Sequence, residues 1–254
     1  MARTTTTHSP ITQARSVIRN IPYTIYCSKT ALAGHIKTPY DVNWAGLCEL
    51  EFTALLRVKL TNNFSEIGQN SRLISFEGGA NARSFEVFGT IATDNILARI
   101  TNGTSSQVIN SGSPITSGDW ISVGMYYKNS TRFGILINGN RINEVTPVIS
   151  LVMQTYDMRL MCFENGLSPA DGYVAEFYLL NRAIENDIEA EMLHYEGRIP
   201  SRMAAIIRYA PETGSGIDLF DQTHNEFDAT LVGNASWSTD RPYIDRETTT
   251  RTTI

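Results

Sequence analysis

Residues Gly172–Gly197, GYVAEFYLLNRAIENDIEAEMLHYEG, change hydrophobic period within one continuous stretch, and that change limits the fold more than any other feature of the chain. The first half alternates. Tyr173, Ala175, Phe177 and Leu179 fall on one side and Val174, Glu176, Tyr178 and Leu180 on the other, which predicts a strand buried mostly on both faces. The second half repeats at helical spacing through Ile184, Ile188, Met192 and Tyr195. Asn186 with Glu189 three residues on makes a capping pair, Gly197 offers a left-handed stop, and Pro200 forbids continuation. A long apolar strand is thus followed by a single short helix.

The cleanest alternation runs from Glu49 to Leu60. Leu50, Phe52, Ala54, Leu56, Val58 and Leu60 point one way and Glu49, Glu51, Thr53, Arg57 and Lys59 the other, with Leu55 the exception. A strand with one wet face belongs to an antiparallel sandwich. Shorter candidates follow at Arg72–Glu77, Ser84–Ile91, Ile96–Thr101 and Ser106–Asn110, separated by Gly-Gly, Thr-Asp-Asn and Asn-Gly turn signals, as in a meander. Further strands are expected from Trp120, at Phe133–Asn138, Asp157–Phe163 and Ala204–Tyr209. Ile21–Tyr26 is also β-prone, and Pro22 assigns it to an edge, on its own domain or on a neighbouring subunit.

The strand-to-helix order of 172–197 resembles the closing segment of laminin-G-like domains in the concanavalin A-like jelly-roll superfamily. There, a strand ending in an Arg-Ala-Leu type tripeptide leads into one short helix, and here the tripeptide is Arg182-Ala183-Ile184. Asp119–Val123 is similar to the Trp-led strand of that family, and Gly134–Gly139 to the strand and Asn-Gly hairpin that follow it. The resemblance covers about residues 45 to 237. Two departures stand out: Glu185 replaces the usual capping Ser, and Ile188 falls one residue early. The resemblance implies an all-β, two-sheet antiparallel jelly-roll sandwich with one short helix, more often a recognition module of an extracellular or virion surface than an enzyme. On this reading residues 1–43 form an extended N-terminal arm, 44–240 the sandwich and 241–254 a tail.

Hydrophobic content of 42% and charge of 19% are those of an ordinary globular protein, with no membrane-spanning run. The net charge of -5 is uneven: the first 43 residues carry Arg3, Arg15, Arg19, Lys29 and Lys37 against Asp41 alone. A basic leader on an acidic body is either an anchoring arm that docks on an acidic neighbour or a solvated tail. It is too sparse for a nucleic-acid footprint. Cys27, Cys48 and Cys162 are odd in number and widely spaced, so buried thiols are expected. MARTTTTHSP lacks the apolar run of an export signal, so the chain is expected either to be a mature form or to be released by another route, such as assembly into a virus particle and lysis of the host.

Catalytic patterns are sparse. Glu185-Asn186-Asp187-Ile188-Glu189 spells the Glu-x-Asp-x-Glu of jelly-roll glucanases, but the helical period around it turns Asp187 away from the two glutamates. His8, His35, His194 and His224 show no ligand or triad spacing. No metal or other cofactor is called for, with one exception. Asp218, Asp221, Asn225 and Asp228 lie in a Gly-bounded turn, either as oxygen ligands of a calcium ion or as turn formers. For glycan stacking the candidates are Trp237 and the pair Tyr126-Tyr127, where alternation sends one ring outward. The expected function is a non-enzymatic virion surface or appendage protein, made in the host cytoplasm. Its arm would fix it to other virion proteins and to copies of itself, while the sandwich decorates the particle or binds host-surface glycan. The alternative is a carbohydrate-binding or adhesion module of a secreted protein.

Overall fold

The structure, a computed structural model, describes residues 22–30, 33–77, 83–163 and 166–242. In chain order its elements are β1 (Thr24–Cys27), β2 (His35–Thr38), α1 (Val42–Cys48), β3 (Glu51–Leu60), α2 (Phe64–Ile67), β4 (Ser71–Glu77), β5 (Arg83–Gly89), β6 (Asn95–Thr101) and β7 (Ser106–Pro114). Then follow β8 (Trp120–Lys128), β9 (Arg132–Ile137), β10 (Asn140–Val145), β11 (Met158–Leu160), β12 (Gly172–Leu180), α3 (Asp187–Glu191), a π-helical turn (Met192–Glu196), β13 (Ala205–Tyr209), β14 (Asp218–Leu219), β15 (Ala229–Val232) and β16 (Ser236–Ser238).

These strands form two eight-stranded antiparallel sheets. Sheet A runs β10-β9-β8-β3-β12-β1-β16, with β13 joining the β1 side of β12 farther along. Sheet B runs β14-β15-β2-β11-β4-β5-β6-β7. Strands from both ends of the chain pair with each other, β1 with β16 and β2 with β15. The expected boundary at residue 44 is therefore too late. Ile25 and Ile36 are fully buried in the core, and β1 fills the place between β12 and β16. The β-prone segment lies on its own domain.

Between the sheets runs one large apolar cluster, from Ile25 and Ile36 through Phe52, Phe76, Phe85 and Phe177 to Leu231. Pairing register shows how alternation fills it. Trp237, Ile25, Val174, Val58 and Ile121 are opposite one another on β16, β1, β12, β3 and β8, and all turn inward. Side chains one residue away turn outward, because successive strand residues alternate.

Two expectations about faces fail for identifiable reasons. A β-bulge between Val174 and Glu176 shifts the phase of β12, so Val174, Phe177 and Leu179 point to the core while Tyr173, Tyr178 and Leu180 point out. The predicted wet face of β3 is largely dry, because a second apolar cluster lies outside sheet A. Leu55, Tyr126, Tyr178 and Leu180 pack there against Ile184, Ala190, Leu193 and Met203. Leu50, expected inward, precedes the strand and is 68% exposed.

The helical cover of that cluster is α3 with its π turn. Asn186 caps it, its Oδ1 accepting from the Glu189 amide at 3.0 Å, and Gly197 ends it with a left-handed φ of 58°. Ala190 and Leu193 face the sheet, whereas Ile188 is 67% exposed and Tyr195 is exposed too. Beneath it sits the Asn138-Gly139 hairpin turn, both residues at positive φ. A Cβ on Gly139 would lie 3.2 Å from that of His194.

Candidate functional site

On the solvent side of sheet A, one step from the inner row, register aligns Ser236, Tyr26, Tyr173, Lys59 and Trp120 across β16, β1, β12, β3 and β8. Tyr26, Tyr173, Lys59 and Trp120 are each partly exposed and Ser236 is exposed. The helical cover lies over the part of the sheet around Tyr126 and Tyr178, farther along the strands than this row. The rings of Tyr26 and Tyr173 have centroids 5.0 Å apart at an interplanar angle of 40°, and the Lys59 ammonium lies 5.7 Å over the Tyr173 ring.

Polar groups fix the row from both sides. Beyond β16 the chain folds back so that Thr24 Oγ1 donates to the Asp240 carbonyl at 2.5 Å, and the Asp240 carboxylate meets Lys59 Nζ at 2.8 Å. On the other side stands Asp171, only 6% exposed. Its Oδ1 accepts from Tyr26 Oη at 3.1 Å and from the Lys29 amide at 3.4 Å, and its Oδ2 from Asn62 Nδ2 at 2.7 Å. Burial first, and the Asp171 carboxylate second, raise the Tyr26 phenol. The arrangement offers aromatic faces for a flat apolar partner and bordering polar groups for its hydroxyls.

The residues singled out from sequence fare differently. Tyr126 and Tyr127 are both fully buried, contrary to the expectation that one ring points outward into water. Tyr127 lies in the core beside Phe52. Tyr126 does take the outer face, but it packs over Gly134 in the second cluster, and its Oη donates to Glu144 Oε2 at 2.9 Å. Trp237 belongs to the inner row at the sheet edge, half-buried, edge-on to Tyr23 at 6.3 Å, with Nε1 donating to the Gly216 carbonyl at 2.7 Å.

In the proposed calcium turn, Asp221 Oδ1 accepts from the Arg208 and Thr223 amides, and Oδ2 from Thr223 Oγ1 at 2.6 Å and the Phe227 amide at 3.2 Å. Asp228 Oδ1 accepts from the Asp221 amide, Asn225 Nδ2 donates to the Ile206 carbonyl, and Asp218 stands exposed on β14. These bonds are those of turn formers. Among the described residues, no three carboxylate, imidazole or thiol groups gather into a metal-binding cluster.

Lys29 and Lys37 belong to the sandwich rather than to an arm: Lys29 follows β1, and Lys37 on β2 pairs with Asp157 at 3.0 Å. Arg3, Arg15 and Arg19 lie outside the described residues. The three cysteines are buried, and burial pushes their thiols up, Cys162 to about 12. Glu189 of the Glu-x-Asp-x-Glu is clasped by Arg202, and Asp187 turns away to Arg141, as a helix requires. Among the described residues no helix is long and apolar enough to cross a membrane.

No family model matches the sequence, and no curated protein matches it either. Solved structures do match. A candidate carbohydrate-binding protein from Bacteroides ovatus superposes with a TM-score of 0.64 at 16% identity, over 88% of this chain and 62% of that one. The heptameric SAP-like pentraxin of Limulus polyphemus gives 0.51 at 12% identity, over 70% and 84%. The binding domain of botulinum neurotoxin DC, solved in complex with SialylT, gives 0.50 at 12% identity, over 67% and 41%. This chain thus spans about three fifths of the Bacteroides protein and two fifths of the neurotoxin chain. Two antiparallel sheets face to face, with few helices and these neighbours, make the fold the expected two-sheet jelly-roll sandwich.

Proposed function

We propose that this chain is a non-catalytic glycan-recognition module, and that it takes sugar on the outer row Tyr26-Tyr173-Lys59-Trp120. One observation carries the reading: three aromatic side chains stand partly exposed in one row on the outer face of a sheet, bordered by Asp171, Asn62 and Asp240. Sugar rings present apolar C–H faces that stack on aromatics, and their hydroxyls need bordering donors and acceptors. The candidate carbohydrate-binding protein and the neurotoxin binding domain solved with SialylT, both fold neighbours, support the same class of function. A glycan array probed with the whole chain tests it. Binding that Tyr173→Ala abolishes while the melting temperature is kept supports the proposal, and a blank array refutes it.

The setting we propose is a virion surface or appendage, with copies of the chain presenting the row repeatedly and so gaining avidity. The basic residues Arg3, Arg15 and Arg19 are the anchor to other virion proteins on this reading. Deleting residues 1–21, which precede β1, is expected to leave the sandwich folded and abolish incorporation into particles. Normal incorporation favours the alternative, an adhesion module of a secreted protein.

A further inference from the structure

The row has a shape as well as a chemistry, and the shape limits its ligand. Resting on the glycan reading above, we infer that the ligand is a neutral oligosaccharide laid across the strands from the tyrosine pair to Trp120, rather than a single terminal sugar or an acidic one.

Length follows from register. Tyr26 and Tyr173 are on neighbouring strands and form one stacking surface. Trp120 is a second surface, on the far side of the Lys59 strand. Adjacent strands are about 4.8 Å apart, so Tyr173 and Trp120 are separated by about 10 Å. A six-membered ring built from bonds of about 1.5 Å is only about 3 Å across. One sugar ring therefore covers the tyrosine pair or the tryptophan and not both, and a ligand that uses the whole row needs further rings over Lys59 and Trp120.

Charge follows from the partners. The one cation in the row, Lys59, holds Asp240 at 2.8 Å and is thereby neutralised. The opposite border is the Asp171 carboxylate, with both oxygens already accepting hydrogen bonds. A uronate, sialate or sulfate placed on the row would meet the field of two carboxylates and an ammonium already paired, whereas hydroxyl groups can donate to the half-exposed Asp240 carboxylate without charge repulsion.

The test is a titration of the whole chain with neutral gluco-, manno- and galacto-oligosaccharides of one to five units and with sialylated, uronate-containing and sulfated counterparts, following heat by calorimetry. Variants are Tyr173→Ala, Trp120→Ala and, sparing strand propensity, Trp120→Thr, each checked for an unchanged melting temperature. Wild type is expected to gain at least tenfold in affinity between one unit and four, and to bind acidic counterparts at least tenfold more weakly. The Trp120 variants should lose the gain with length and keep the affinity for one or two units, while Tyr173→Ala loses binding at every length. Affinity independent of length, Trp120 variants equal to wild type on long chains, or preference for acidic sugars overturns the inference while leaving glycan recognition in place. No binding to any glycan overturns both.

Discussion

Trp237 and Tyr26 lie one register step apart at the edge of the same sheet and point to opposite sides of it. Trp237 pairs with Ile25 and closes the core, whereas Tyr26 pairs with Ser236 and Tyr173 and faces solvent. The half-buried tryptophan that sequence alone marks as a sugar platform thus packs on the core side, and a tyrosine next to its partner takes the outer face. Trp237→Ala is expected to cost about 1–3 kcal/mol, a large ring half-lost from the core together with its bond to Gly216. Denaturant melts should show that loss while glycan affinity stays within about twofold of wild type; an affinity loss as large as that of Tyr173→Ala returns Trp237 to the site.

Acid is expected to loosen the helical cover. Burial alone would raise the Glu189 carboxyl, but two bonds from Arg202 and the amides of Glu185 and Asn186 more than offset it and hold the group below the ordinary glutamate range. A depressed folded pKa contributes stability that is complete above the unfolded value and disappears as pH falls through the folded one. Arg202→Gln should therefore destabilise the chain by about 1–2 kcal/mol at neutral pH, the pair being partly exposed, and the difference from wild type should close on acidification. A difference that persists undiminished at acid pH assigns the role of Arg202 to something else.

Sheet B carries a charge cluster of a different kind. Glu86, fully buried, meets Arg99 at 2.5 Å and Arg72 at 2.7 Å, and both guanidiniums lie over the Phe88 ring. Removing the carboxylate takes a close ionic partner from two guanidiniums in a largely enclosed place. Glu86→Ala is expected to cost about 3–5 kcal/mol by chemical denaturation, whereas replacement of Glu86 and both arginines together by apolar residues should recover part of it. A near-neutral Glu86→Ala contradicts the assignment.

Calcium should be immaterial to the fold. The carboxylates of Asp221 and Asp228 already accept from backbone amides. Anything that binds the native state alone raises its melting temperature by mass action. Thermal melts with chelator and with millimolar calcium are expected to coincide, and a rise of several degrees with calcium would restore the ion to the 218–228 turn.

How much of this was legible follows from the residues. The strand-helix switch of 172–197, the Asn186 cap, the Gly197 stop and the Asn-Gly hairpin are local, and each stands where its sequence signal put it. Which face a strand shows to water is not local. One bulge at Ala175 exchanges the faces of β12 and brings Tyr173 outward, and the helix turns Ala190 and Leu193 rather than Ile188 toward the sheet. The row itself is a product of pairing, because Tyr26, Tyr173, Lys59 and Trp120 come from four strands dispersed along the chain. Two signals did point toward it: Lys59 on the polar side of the cleanest strand, and Trp120 at the start of another.

Titration of wild type and Tyr173→Ala with the tightest glycan from an array is the most direct test of whether the outer row is a binding site. Loss of Tyr173 is expected to weaken binding at least tenfold, about 1.4 kcal/mol, with the melting temperature nearly unchanged. Equal affinities in the two proteins would contradict it.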